Sequence, residues 1–278
     1  MNASSKHARG TDRGLGFAID IDGVVKRGSV AVERSAEALR HLRLRHVPFI
    51  LATNNSTKSA ERVSLELGNM GIEVAIDEIF TSCDSLIHYL KEHTELHEKM
   101  RRGIYVLGEE GVVTKLREHG YVVTDSATEG MVVVGLDSGF NYDKLSIAMA
   151  SIRKGAVYIA TNTDKTYPSG GTELPGAGAM IAAVNACTGR KPRVMGKPSK
   201  NYFHALSSRL LQKAGGVEIV MVGDRPETDI RMANENGCRS VLVLTGVTQP
   251  EQVSRLRGKQ KPVHVFKDLY EAVVTLVP

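Results

Sequence analysis

An α/β fold built on parallel strands is predicted by two features of this 278-residue chain. Short β-branched runs alternate with amphipathic stretches throughout, and each run is almost continuously apolar. A strand that is apolar at successive positions buries both faces, as strands do in a parallel sheet covered by helices. Alternating strands and helices then imply right-handed crossovers between parallel neighbours.

The elements follow in order. Strands are expected at 16–20 (GFAID), 48–52 (PFILA), 104–108 (IYVLG), 131–135 (MVVVG), 156–160 (AVYIA), 218–223 (EIVMVG) and 240–244 (SVLVL). Ala60, Val63, Leu67 and Met70 recur at spacings of three and four, which places one apolar stripe on a helix ending near Gly71. Residues 141–155 have the same helical character. The Gly- and Pro-rich stretch Pro168–Gly178 reads as a hinge or as a loop entering a site.

Composition narrows the class. With 42% apolar and 24% charged residues the chain is globular rather than disordered or collagen-like. No apolar run approaches the ~18 residues of a membrane span, so no membrane partner is expected. Residues 1–14 are polar and slightly basic, lack the apolar core of a secretory signal, and read as a flexible tail, with a transit peptide as the alternative. A cytoplasmic location is the expectation. The net charge of +5 favours anionic substrates only weakly. Basic clusters at 99–102 and 255–257 lack interleaved aromatics, so no nucleic-acid partner is expected. Cys83, Cys187 and Cys238 are too few and too scattered for a disulfide framework or a thiolate metal site, and read as small buried hydrophobes.

Ligands of open α/β sheets bind beyond the carboxyl ends of the strands. The first strand runs into Asp20-Ile21-Asp22-Gly23, and the second into Thr53-Asn54-Asn55-Ser56. A short Val194-Met195-Gly196 segment leads to Lys197, and the run at 218–223 ends in Asp224 with Asp229 five residues on. Each element alone has a plain reading: a strand-end Asp is often a turn residue or helix cap, and DxDG also resembles a calcium loop. Together they place carboxylates, a hydroxyl and a lysine at one sheet edge. Carboxylates that close repel unless a cation lies among them, and hard oxygen ligands suit Mg²⁺. A carboxylate beside a metal-bound phosphate can act as a nucleophile. Gly23 is expected to supply a tight turn that brings backbone N–H groups to the phosphate. Thr53, Asn54 and Lys197 are expected to donate to its non-bridging oxygens.

These motifs resemble those of the haloacid dehalogenase superfamily: DIDGV (20–24), the Thr of ATNNS (52–56), the Lys of GKPS (196–199) and GDRPETDI (223–230), in that order. With VGLDSGFNYDKL (134–145), TNTD (161–164) and PGAGA (175–179), the chain is similar to the NagD-like or p-nitrophenyl phosphatase-like branch over about residues 15–275. The resemblance implies a Rossmann-like core at 15–82 and 176–278 with a smaller α/β cap inserted at 83–175. It implies a Mg²⁺-dependent phosphatase that passes the phosphoryl group of a small metabolite through an aspartyl-phosphate. The substrate would be a sugar phosphate, glycerol phosphate, phosphoglycolate or nucleoside monophosphate.

Carried over by position, Asp20 is the nucleophile and a metal ligand. Asp22 is the acid/base, and its backbone carbonyl also binds the metal. Thr53, Asn54 and Asn55 orient the phosphoryl group, Lys197 neutralises charge, Asp224 binds Mg²⁺, and Asp229 supports the metal's waters or Lys197. Asn162 and Asp164 are the cap-side candidates for substrate contact, against the alternative of a plain Asx turn. A homodimer through the cap is also implied.

Other readings compete. Receiver domains use similar groups but lack an acid/base two residues after the nucleophile. A non-catalytic binding protein would not need intact Asp20, Asp22, Lys197 and Asp224, whereas a phosphotransferase would use the same chemistry. His93 and His97 have helical metal-binding spacing, but their charged neighbours favour a solvated face. The GxGxx at 176–180 lacks its third glycine and a preceding strand, so the dinucleotide fingerprint fails.

Overall fold

The computed structural model describes residues 14–169 and 172–278, so the tail expected at 1–14 lies, apart from Gly14, outside the described residues. Two parallel sheets organise the rest. The larger has six strands in the order His264–Phe266, Arg239–Val243, Glu218–Gly223, Leu15–Asp20, Phe49–Ala52 and Ile79–Phe80. All its neighbours are parallel, with Phe17 between Phe49 and Val220.

Strand periodicity explains why both faces are covered. Phe17 and Ile19 point to one face and pack with Leu39, Leu67 and Leu269 from the helices Ser35–Leu44, Ala60–Gly68 and Leu269–Leu276. Ala18 points to the other, where it meets Tyr202, Leu206 and Leu210 of the helix Lys200–Ala214. The small Ala18 leaves room for Tyr202, a large side chain that is fully buried.

Between strand Ile79–Phe80 and helix Lys200–Ala214 the chain builds a second, five-stranded parallel sheet. Its order is Arg193–Val194, Val157–Ala160, Met131–Val134, Ile104–Leu107, Val123–Thr124. Helix Ser82–Glu92 opens this inserted unit. Thr81 caps it, its hydroxyl accepting the Asp84 N–H while the Asp84 carboxylate accepts the Thr81 N–H. Leu86 and Leu90 of that helix cover Ile104, Met131 and Ile159 on one face. Ala148, Ile152, Ile181 and Val184 cover Val132 and Val134 on the other.

Two sequence expectations change here. The return to the larger sheet, placed at residue 176, comes only after Val194. Helix Ala177–Thr188 buries Ala177, Ile181 and Val184 against the inserted sheet, and Arg193–Val194 pairs with Ile159–Ala160. The stretch read as a hinge or loop is an antiparallel hairpin of Thr166–Ser169 with Thr172–Pro175, followed by that helix. Thr166, Tyr167 and Thr172 supply β-forming residues that the glycines and prolines masked. Among the described residues no helix is long and apolar enough to cross a membrane.

Candidate active site

The carboxyl edge of the larger sheet opens into a cavity of about 940 Å³, lined by Asp20, Asp22, Thr53 and Lys197 from the core and by Asn162 and Tyr167 from the inserted unit. Asp20 is the last residue of the central strand and only 7% exposed. Its Oδ1 accepts both the Ile21 N–H (2.8 Å) and the Lys197 ammonium (2.7 Å). Lys197, 2% exposed, also donates to Asp229 Oδ1 at 2.7 Å and to the Ala52 carbonyl at 3.0 Å. An ammonium has three protons, and all three find acceptors.

Asp20, Asp224 and Asp229 bring one carboxylate oxygen each to within 4.8 Å of one another. Three buried carboxylates against one ammonium leave a deficit of positive charge. Burial, reinforced by Asp229 and Asp224 and opposed by Lys197, holds the Asp20 carboxyl well above its ordinary range. Burial and Asp229 push Asp224 up to about 6. Burial would lower Lys197, but Asp20 and Asp229 outweigh it and keep the ammonium charged. Asp224 Oδ2 accepts the Val247 N–H at 2.7 Å, whereas its Oδ1 is buried with no hydrogen-bond partner. An orphaned carboxylate oxygen among carboxylates fits a hard divalent cation such as Mg²⁺.

Gly23 takes φ +89°, and a Cβ there would stand 2.3 Å from Asp224 Oδ2. Its turn is the expected one, but its N–H donates to the Lys26 carbonyl at 2.8 Å instead of facing a phosphate. The missing side chain makes room for Asp224. Asp22 stands outside the buried carboxylate cluster, at the cavity wall, with Oδ1 accepting the Lys26 ammonium at 2.7 Å.

The loop after the second strand is tied on all sides. Thr53 Oγ1 accepts the Asn55 N–H at 3.1 Å, and its carbonyl accepts the Tyr202 hydroxyl at 3.1 Å. Asn54 Oδ1 accepts the Lys197 N–H at 2.7 Å. Its amide donates to both oxygens of Asp164, at 3.2 and 3.1 Å, and to the Lys197 carbonyl at 3.3 Å. The Asn54 side chain expected to donate to phosphate therefore links the loop to the lysine and to the inserted unit. Asn55 Oδ1 accepts the N–H and hydroxyl of Thr57 and shapes the loop from within.

The comparisons with known proteins agree with this geometry. A family model of haloacid dehalogenase-like hydrolases matches residues 17–122, and a second, HAD-hydrolase-like model matches 194–272. The acid sugar phosphatase of Staphylococcus haemolyticus is 35% identical over 262 residues, covering 94% of this chain and 96% of the relative. The chain belongs to the haloacid dehalogenase-like hydrolases. Within that family it stands with the NagD-like phosphatases. NagD from Escherichia coli K-12 superposes with a TM-score of 0.82 at 27% identity, covering 93% of this chain and 98% of that one. A glycerol phosphate phosphatase from Mycobacterium tuberculosis, solved in complex with magnesium, gives 0.83 at 28% identity over 94% of this chain and 76% of that one.

In this HAD-like hydrolase the inserted unit reaches the loop after the second strand through several contacts that sequence reasoning missed. Asn162, read as a cap-side substrate contact, donates its amide to the Asn54 carbonyl at 2.9 Å, and Asp164 accepts from Asn54 as above. Burial raises the Asp164 carboxyl while the Asn54 amide pulls it back. The Thr161 hydroxyl bonds Ser56 Oγ at 3.0 Å. Gly111 packs so closely that a Cβ would stand 2.6 Å from the Thr57 backbone. Arg225 also lines the cavity, where burial would lower its pKa but Asp224 and Asp164 raise it. Its place directly after Asp224 was the available signal.

The hydrolase's metal-free stability should depend on pH with a definite sign. Asp224 takes up its proton near pH 6 when folded, but near its ordinary value of 3.8 when unfolded. The folded state therefore binds the proton first, and its advantage is lost as pH rises through about 6. In EDTA, urea unfolding should show the protein more stable at pH 5 than at pH 8, by on the order of 1 kcal/mol. Mg²⁺ should offset the loss at pH 8. Equal stability at both pH values in EDTA would contradict the placement of Asp224.

Proposed function

We propose that this phosphatase hydrolyses a small phosphomonoester metabolite, with Mg²⁺ and through an aspartyl-phosphate on Asp20. The observation that carries the reading is the pairing of a strand-end carboxylate, clamped by Lys197, with the orphaned Oδ1 of Asp224. Asp20, Asp224 and the backbone carbonyl of Asp22 would hold Mg²⁺, with Asp229 supporting from behind Lys197. When bound, the cation supplies positive charge against the carboxylates and the phosphate oxygens.

The roles of the chain's own groups follow from their bonds. Both hydrogen bonds to Asp20 fall on Oδ1, so Oδ2 is the oxygen that attacks phosphorus. As that P–O bond forms, the bond to the leaving oxygen breaks and protonated Asp22 supplies the proton. Asp22 then takes a proton from water, which attacks the phosphorus and returns Asp20 with inorganic phosphate. The Lys26 ammonium, 2.7 Å from Asp22 Oδ1, holds that side chain in place at the cavity wall. Lys197 offsets the charge on Asp20 and on the phosphoryl group in transit, and the Thr53 hydroxyl and loop backbone orient that group. Asn162 and Asp164 hold the inserted unit over the site and bound the space for the substrate's remainder.

The substrate range is supported by relatives named acid sugar phosphatase and glycerol phosphate phosphatase, and by a cavity sized for a small polar molecule. Homodimerisation through the inserted unit and a cytoplasmic location belong to the same reading, and sedimentation and cell fractionation test them.

The direct test is phosphate release from sugar phosphates, glycerol phosphate, phosphoglycolate and nucleoside monophosphates, with Mg²⁺ and with excess EDTA. Release from at least one class that EDTA abolishes and Mg²⁺ restores is the expected result. No release across the panel, or release indifferent to EDTA, would overturn the reading.

A further inference from the structure

A second group of metal-ligating side chains lies outside the cavity. His88 and Glu92 stand one turn apart on helix Ser82–Glu92, and His204 on helix Lys200–Ala214 faces them. Glu92 Oε1 is 3.2 Å from His88 Nε2, and Oε2 is 3.1 Å from His204 Nε2. The two imidazoles lie edge to face with ring centres 5.4 Å apart. Ligand atoms bound at about 2.0 Å to a tetrahedral ion stand roughly 3.3 Å from one another, so both carboxylate–imidazole spacings match.

An independent observation points the same way. His88 Nε2 is shut off from solvent and makes no hydrogen bond, although Glu92 Oε1 stands 3.2 Å away. A ring nitrogen in that state is an unused ligand. Among the described residues the ion-pair partners of Glu92 are these two imidazoles, with no lysine or arginine beside them. His204 is 63% exposed, which leaves one side of the site open to solvent.

We propose that His88, Glu92 and His204 form a site for a divalent transition-metal ion of the zinc class, with an open position for water or an external ligand. Two imidazoles, which are borderline ligands, beside one hard carboxylate favour Zn²⁺, Co²⁺ or Ni²⁺ over Mg²⁺. The site bridges two bodies. The helix of His88 packs its apolar face into the inserted unit, whereas the helix of His204 packs into the larger sheet. A bound ion therefore fastens the inserted unit to the core. Tyr202, two residues before His204, bonds the Thr53 carbonyl, which connects the same helix to the loop after the second strand.

Co²⁺ titration of the full chain at saturating Mg²⁺, which keeps the buried carboxylates occupied, tests the proposal by visible absorption. The expected result is one Co²⁺ per chain with a d–d band that Zn²⁺ displaces, together with a Zn²⁺-dependent rise in wild-type melting temperature. His204→Ala and Glu92→Gln should lose the band and the rise, while their Mg²⁺-supported phosphatase activity in metal-depleted buffer stays at the wild-type level. A band that survives both substitutions, or no band at millimolar Co²⁺, would overturn the proposal and leave a plain imidazole–carboxylate cluster.

Discussion

Asp20→Asn is expected to abolish turnover while leaving the fold intact. The amide oxygen can still accept from Ile21 and Lys197, so the local hydrogen bonds survive. What disappears is the anionic oxygen that attacks phosphorus, and loss of a nucleophile costs roughly four orders of magnitude or more in kcat. Stability should move the other way. Asp20 is buried among Asp224 and Asp229 and held well above its ordinary pKa, so a neutral amide relieves repulsion. In EDTA at pH 8 the variant should unfold at the same or higher urea concentration than wild type. Inactivity combined with lower stability would mean that misfolding explains the loss.

Lys197→Met should cost both activity and stability. The ammonium is buried and bonds two carboxylates and a backbone carbonyl. Its removal leaves charges uncompensated in the interior, a change worth about 3–5 kcal/mol. Urea denaturation at pH 8 measures it. The loss should shrink in Asp20→Asn/Lys197→Met, because one of the stranded carboxylates is gone, and that non-additivity reports the direct contact. Simple additivity would place the interaction elsewhere.

Much of the fold was legible because strands buried on both faces are continuously apolar. Phe17, Ala18 and Ile19 all read as interior, and all are. The end of the inserted unit was not legible. Helix Ala177–Thr188 is apolar almost all round, so its pattern does not say which sheet it covers, and Arg193–Val194 is too short to announce a strand. The site residues at strand ends were readable for the opposite reason: Asp20, Thr53 and Asp224 are polar where an apolar run stops.

Partnerships across long separations were hidden. No local pattern shows that Asn54 reaches Asp164, or that Gly23 is small to admit Asp224. Helical spacing likewise singled out only His93 and His97, whose charged neighbours favour a solvated face. The clustered groups are His88 and Glu92, whose third member, His204, lies more than a hundred residues away. His93 instead stacks on Tyr89.

The central claim is that the phosphoryl group passes through the enzyme. It is tested most directly by the stereochemical course of hydrolysis, using a thiophosphate monoester whose phosphorus is made chiral with two oxygen isotopes and cleaved in water carrying the third. Two successive in-line displacements, one by Asp20 and one by water, predict retention of configuration in the released thiophosphate. Inversion would mean that water attacks the substrate directly and that Asp20 never carries the phosphoryl group.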